Sequence, residues 1–193
     1  MEVLWWAVPF TLLFHSAIVL ILGRMSRIES PEPEHPAMVS IIIPSYKNEK
    51  TIEKTIISAK NLDYPQKEII VVNDSKDNTP RICKRLGVAC IQNKKRLGKA
   101  RAMNLGAMAS KGDVLLFIDA DTVIRHDALK KMLPHLRDSR TCIVFPKCLA
   151  ANRNSLISRL SSLENMYNSA MFRMHMFFGS ALSFRGCCSL IKK

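Results

Sequence analysis

Two rhythms of apolar and polar positions divide this chain. From Val3 to Gly23 the sequence VLWWAVPFTLLFHSAIVLILG runs for 21 residues without a formal charge. From Met38 onward, short apolar runs alternate with amphipathic segments. The first stretch is long enough to cross a bilayer as a helix. Trp5 and Trp6 stand at one end, and Arg24 and Arg27 follow the other. The interfacial-belt and positive-inside rules therefore predict an uncleaved single-pass anchor over residues 1–24, with the remainder in the cytosol. A cleaved signal peptide is the competing reading. Its basic n-region is missing, Glu2 stands there instead, and no A-x-A-like site follows. RIESPEPEHPA carries Pro31, Pro33 and Pro36 and predicts an extended linker over residues 25–37. A domain is expected over 38–193.

Within that domain MVSIIIPSY reads as a β-branched strand stopped at Pro44, and NEKTIEKTIISAKNL as a helix with Ile52, Ile56 and Ile57 at helical spacing. KEIIVVND is a second strand, and SKDNTPRICKRLG a turn and short helix closed by Gly87. VACIQN is a weaker strand, GKARAMNLGAMASKG a small-residue helix and DVLLFIDAD a fourth strand. This alternation predicts an α/β fold, a mainly parallel sheet with helices on both faces. After Thr122 the order becomes an interrupted helix near Pro134, a strand in TCIVFPKCLA, a long helix and a last strand in FFGSALSF. The long helix spaces Leu156, Leu160, Leu163, Tyr167, Ala170, Met171 and Met174 along one face, read as core or as a membrane-surface contact.

Charge adds a partner class. Lys and Arg number 29 against 16 acids, a formal charge of +13, which favours an anionic partner such as nucleic acid, acidic lipid or a phosphorylated substrate. The six cysteines form no C-x-x-C pair and no His-flanked zinc spacing, so free thiols in a reducing compartment are expected. Sheets of this class bind ligands beyond the carboxyl ends of their strands. Those ends read PSYKNE, NDSKDN and DADT. Asp119 and Asp121, two residues apart, would share one side of an extended chain. They read either as turn and capping aspartates or as hard oxygen ligands for Mg²⁺ or Mn²⁺. Glu49 is equally open to a first-turn helix role, and Asp74 to a turn role. Lys94, Lys95, Arg96, Lys99 and Arg101 are a phosphate-attracting run or a solvated face. LGKAR is no P-loop, since Asn93 stands where a glycine is needed and no Ser or Thr follows the lysine.

Taken in order, VSIIIPSYKNEKTIEKTIISAKNLDYPQKEIIVVNDSKDNT, GKARAMNLGA and LLFIDADT resemble family 2 glycosyltransferases of the GT-A fold. More loosely, LENMY and FFGSALSFR resemble the acceptor-side region of membrane-bound processive polysaccharide synthases. The resemblance implies an inverting transfer from a nucleotide sugar, UDP-linked or GDP-linked, to a glycan or lipid-linked acceptor at a membrane. It places Pro44, Tyr46 and Glu49 at the nucleoside, Asp74 at the uracil ring, Lys99 near the base and phosphates, and Asp119 and Asp121 at a Mg²⁺- or Mn²⁺-bound diphosphate. An acidic base pair downstream and a Q-x-x-R-W motif are missing. After Asp121 the acids are Asp127, Asp138 and Glu164, so the chain reads as truncated, with Glu164 the remaining candidate base. A catalytically inactive donor-binding remnant is the alternative. A membrane-tethered nucleic-acid module ranks last, because NKKRLGKAR interleaves no aromatics, and no nucleic acid is expected.

Overall fold

The computed structural model describes residues 13–19, 21, 37–139, 141–149, 155–177 and 187–193. In chain order the elements are β1 (Val39–Ser45), α1 (Ile52–Lys60), β2 (Lys67–Asn73), α2 (Thr79–Leu86), β3 (Ala89–Gln92), α3 (Lys99–Ala109) and β4 (Val114–Ile118). They continue with α4 (Ala128–Met132), a 3₁₀ turn (Leu133–Arg137), β5 (Ile143–Val144), α5 (Leu156–Phe177) and β6 (Cys188–Lys192). The strands form one six-stranded sheet in the order β3-β2-β1-β4-β6-β5. β1 through β4 are parallel, β6 runs antiparallel to β4, and β5 antiparallel to β6.

Alternation along β1 explains why both faces are covered. Val39, Ile41 and Ile43 point into the larger core with Ile52 and Ile56 of α1, Val71 and Leu116. Ile42 points the other way, to Leu115, Phe117 and Met103 of α3. Ile70 and Val72 of β2 meet Ala102 and Leu105 on that same side. A strand buried on both faces has no polar side to show, which is why VSIIIPS reads as a continuous apolar run.

The chain divides into two compact units, one of Met1–Glu29 with Lys147–Phe184 and one of Ser30–Pro146 with Arg185–Lys193. The sheet belongs to the second. In the first, Val19 and Ala170 are buried together with Ile18, Tyr167 and Met171 beside them.

Several expectations are corrected. The single-pass membrane placement with a cytosolic domain is overturned, because no helix among the described residues is long and apolar enough to cross a membrane. Spanning takes about 20 apolar residues. Within the expected anchor only residues 13–19 and 21 are described as helical, and the rest of 1–24, like 25–36 of the linker, lies outside the described residues. α5 has 22 residues but carries Arg159 and Glu164 among serines and asparagines. Its apolar stripe is not core at the N-terminal end, where Leu156, Leu160 and Leu163 are each more than half exposed. Ile57 is 41% exposed, because the buried face of α1 follows Ile52 and Ile56 at i, i+4. β1 runs through Pro44, which lies past the last β1 residue registered with β4, Ile42, where a missing N–H is least costly. The sheet is mixed, since the antiparallel β6, unforeseen in GCCSLIKK, inserts beside β4. Of FFGSALSF, Phe177 ends α5 and 178–184 lie outside the described residues.

Candidate active site

The carboxyl ends of β1, β2 and β4 and the N-terminus of α3 surround an open cleft of about 260 Å³. Its wall includes Pro44, Ser45, Tyr46, Asp74, Arg96, Lys99, Asp119 and Asp121. Each strand end supplies its group for a local reason.

At the end of β1 the chain turns through Lys47, whose φ of 57° is left-handed and uncommon for a residue with a Cβ. The Lys47 N–H donates to Ser75 Oγ at 2.9 Å, which holds that turn against the end of β2. The Arg96 guanidinium lies 4.3 Å from the Tyr46 ring centroid and the Lys47 ammonium 5.4 Å from it. These cation–π contacts gather positive charge at the rim of the cleft. Ser45 Oγ is buried in this wall with no hydrogen-bond partner among the described residues.

At the end of β2, Asp74 is 7% exposed. Its Oδ2 accepts the backbone N–H groups of Leu97 at 2.9 Å and Gly98 at 2.8 Å, and its Oδ1 accepts the Asn93 side-chain amide. Gly98 has φ 85° and ψ 161°, a region open essentially to glycine, and this is what turns two successive N–H groups onto one oxygen. Asn73, the preceding residue, is fully buried and donates to Ser75 O at 2.8 Å and Asp77 Oδ1 at 3.1 Å. Burial pushes the Asp77 carboxyl up, but hydrogen bonds from Thr79 and Asn73 outweigh it and hold it below the usual range.

At the end of β4, Asp119 to Thr122 form a turn closed by the Thr122 N–H on Asp119 O at 3.0 Å. The two aspartates therefore meet the cleft through a turn, not through an extended strand. The Asp119 N–H donates to Cys187 O at 3.0 Å. Thr55 of α1, fully buried, donates its hydroxyl to Ala120 O at 3.0 Å. Ser58 accepts the Ile124 N–H at 3.2 Å and donates to Thr55 O at 2.8 Å. Asp119 is ion-paired with Lys99, the first residue of α3, which offsets the repulsion expected of two close carboxylates. Asp121 is exposed and makes no ion pair among the described residues.

The sequence-derived candidates thus separate. Pro44, Tyr46, Asp74, Lys99, Asp119 and Asp121 line one cleft. Glu49 instead accepts the backbone and side-chain N–H groups of Asn78 at 2.9 and 3.0 Å, beside the start of α2. Glu164 is exposed on α5 in the other unit. Thr55, Ser58 and Asn93 escaped the sequence reading, since a lone hydroxyl on an amphipathic helix or an Asn after a strand looks like ordinary polar spacing.

The Asp119–Asp121 pair fits a small divalent cation in donor chemistry, offering hard carboxylate oxygens with one of the two exposed. No group of three or more His, Cys, Asp or Glu side chains among the described residues is placed to hold a metal. Binding through one or two carboxylates completed by water and ligand phosphate, the habit of Mg²⁺, is the arrangement this leaves.

Several known proteins are similar to this chain. The poly-β-1,6-N-acetyl-D-glucosamine synthase of Staphylococcus epidermidis is 30% identical over 132 residues, covering 65% of this chain and 32% of that protein. The Staphylococcus aureus synthase is 27% identical over the same length. The chain spans about a third of the length of these relatives. Among solved structures, the mannosyltransferase PcManGT from Pyrobaculum calidifontis, in complex with GDP-Man and Mn²⁺, matches with a TM-score of 0.71 at 20% identity, over 96% of this chain and 55% of that one. Staphylococcus aureus TarS 1–349 with UDP-GlcNAc matches at 0.55 and 24% identity, over 62% of this chain and 36% of that one. These likenesses show a GT-A-like fold. The glycosyl transferase family 2 profile covers residues 40–193, the span that carries the sheet and the cleft, and the chain belongs to that family.

Proposed function

We propose that the cleft binds a nucleotide-sugar donor with a divalent cation and serves sugar transfer to a glycan or lipid-linked acceptor. The observation that carries this is the convergence of three strand ends and one helix N-terminus on a single cleft holding both a carboxylate pair and cationic side chains. Asp119 and Asp121 would hold Mg²⁺ or Mn²⁺, whose role when bound is to neutralise charge on the departing nucleoside diphosphate. Lys99, Arg96 and the N–H groups at the start of α3 add positive potential on the same side. Asp74, buried and already held by neutral donors, suits an uncharged base better than a phosphate.

A second reading is donor binding without turnover. It is favoured because the three acids lining the cleft, Asp74, Asp119 and Asp121, are taken by base and diphosphate, which leaves the acceptor hydroxyl without a base among the described lining residues. Calorimetry with UDP and GDP in Mn²⁺, repeated in EDTA and with Asp121→Asn, tests the shared core of both readings. Binding that is lost in EDTA and weakened about tenfold or more by the substitution supports it. Equal affinity with and without metal refutes it. Acceptor-dependent release of nucleoside diphosphate from a nucleotide-sugar panel then separates transfer from binding alone.

A further inference from the structure

Among the described residues no cysteine lines the cleft, yet two cysteines stand together behind it. Cys83 lies on α2, whose buried residues, Thr79 and Cys83, are one helical turn apart on the face turned to the sheet. Cys90 lies on β3, an edge strand, in parallel register with Val71 of β2. Registered residues share a face of the sheet. Val71 belongs to the same buried cluster as Cys83, and Cys90 packs against that cluster. Ile91, the next residue, packs on the opposite face beside Ile70, Val72 and Ala102. The connection is short, since Gly87 at φ 65° ends α2 and the Val88 N–H returns to Cys83 O at 3.1 Å. Helix face, strand register and turn thus bring the two sulfurs together, and a hydrogen bond joins them.

The two thiols are unlike. Cys83 is fully buried in the core, whereas Cys90 is partly exposed on the edge strand. The hydrogen bond from Cys83 holds the Cys90 thiol below its ordinary range, against burial and the nearby Asp77 carboxylate. The same bond, with burial, pushes the Cys83 thiol up, so Cys83 keeps its proton and donates. Cys90 therefore has the more thiolate character and the access, and Cys83 is a sheltered thiol in contact with it.

We propose that Cys83 and Cys90 form a redox modification site: hydrogen peroxide oxidises Cys90, and Cys83 closes the disulfide. In the first step the Cys90 thiolate attacks one peroxide oxygen, giving a sulfenic acid and hydroxide. The Cys83 sulfur then attacks the Cys90 sulfur, and its proton leaves with the sulfenic hydroxyl as water. The hydroxide takes up the proton that Cys90 released, so two thiols are oxidised and one peroxide is reduced to two waters. The bond ties α2 to β3 just before Gln92 and Asn93, whose side chains hold Asn73 and Asp74 at the end of β2. A reversible bond of this kind suits a reducing compartment, where disulfides are transient. The site does not depend on the donor reading above.

The test is thiol mapping on the full chain, reduced and then exposed to a small excess of hydrogen peroxide. Two of the six thiols are expected to vanish from a count in denaturant and to return with dithiothreitol. Trypsin digestion without reductant should yield fragments 82–84 and 86–94 joined by a bond that reductant splits. Cys83→Ala should stop at the sulfenic acid, trapped on Cys90 by dimedone. Cys90→Ser should slow the loss of the Cys83 thiol by about tenfold or more, because a buried, protonated thiol reacts poorly. Unlinked fragments after peroxide, or disulfides among Cys142, Cys148, Cys187 and Cys188 in their place, each overturn the inference. So does an untrapped Cys90 in a folded Cys83→Ala chain, or a Cys83 lost as fast in a folded Cys90→Ser chain. The fragment mapping needs no variant and decides the matter if Cys83→Ala fails to fold.

Discussion

Thr55→Val probes whether the aspartate turn is held from behind by α1. The substitution preserves shape and replaces one hydroxyl by a methyl in a side chain with no solvent exposure. It removes the donor 3.0 Å from the carbonyl of Ala120, the residue between Asp119 and Asp121. That carbonyl stays buried, so the loss is that of an acceptor left without its partner, about 1–3 kcal/mol. With a urea slope of about 2 kcal/mol per molar, the unfolding midpoint falls by roughly 0.5–1.5 M. The melting temperature falls by about 3–10 °C for a chain of this size. Because the tether ends between the two carboxylates, the Mn²⁺-dependent affinity for nucleotide is expected to weaken several-fold as well. Thr55→Ser keeps the hydroxyl and should recover most of both effects, short of one methyl group, about 1 kcal/mol. The paired readout is urea unfolding followed by fluorescence, with nucleotide titration on the same samples. A Thr55→Val midpoint within about 0.2 M of the parent chain, or a Thr55→Ser variant as weak as Thr55→Val, would refute the tether.

Three further outcomes are expected. Gly112→Ala should destabilise by about 2 kcal/mol or more in chemical denaturation, since its Cβ would sit 2.6 Å from Met38 O and 2.7 Å from Ser40 N, backbone atoms that cannot turn aside. Glu68 is pushed up by burial and pulled further down by hydrogen bonds from Ser40 and Lys111, so its carboxyl lies below the ordinary 4.5. Its stabilising contribution is therefore complete above pH 4.5 and fades as pH falls through its lowered value; acid unfolding of Glu68→Gln should show a shallower pH dependence in that window. Lys99→Met removes the cation paired with Asp119, so nucleotide-free Mn²⁺ binding, followed by electron paramagnetic resonance of the free ion, should tighten about two- to tenfold while nucleotide affinity falls.

What was legible in the sequence follows from the kind of signal each element carries. β1, β2 and β4 are sandwiched between helices, so their runs are apolar on both sides and stand out without any partner being known. α2 and α3 are bracketed by proline and glycine at Pro80, Gly87 and Gly98. β6 carries no such mark. It is five residues with a polar Ser189 and ends in lysine, and its pairing with β4 and β5 is what makes it a strand. Asp74, Asp119 and Asp121 were readable as candidates because carboxylates at the ends of apolar strands are conspicuous. Glu49 was equally conspicuous, yet its bonds to Asn78 are a matter of which loop lies across from it. Asn93 and Thr55 depend on contacts across 19 and 65 positions of sequence, and no local pattern announces those.

The pairing of β6 with β4 also bears on the order of assembly. β4 ends at Ile118 and β6 begins at Cys188, so the closing loop is about seventy residues. Against a tight hairpin of about four, its closure entropy is larger by about 2.5 kcal/mol. On a ribosome, β1 to β4 emerge long before the strand that flanks β4 exists. Until it arrives, the edge of β4 is an open ladder and the N–H of Asp119 lacks the Cys187 carbonyl that receives it. A nascent chain would thus hold a recognisable parallel sheet while its aspartate turn was still unanchored. In that interval a holdase covering the β4 edge would matter more to yield than any property of the finished cleft.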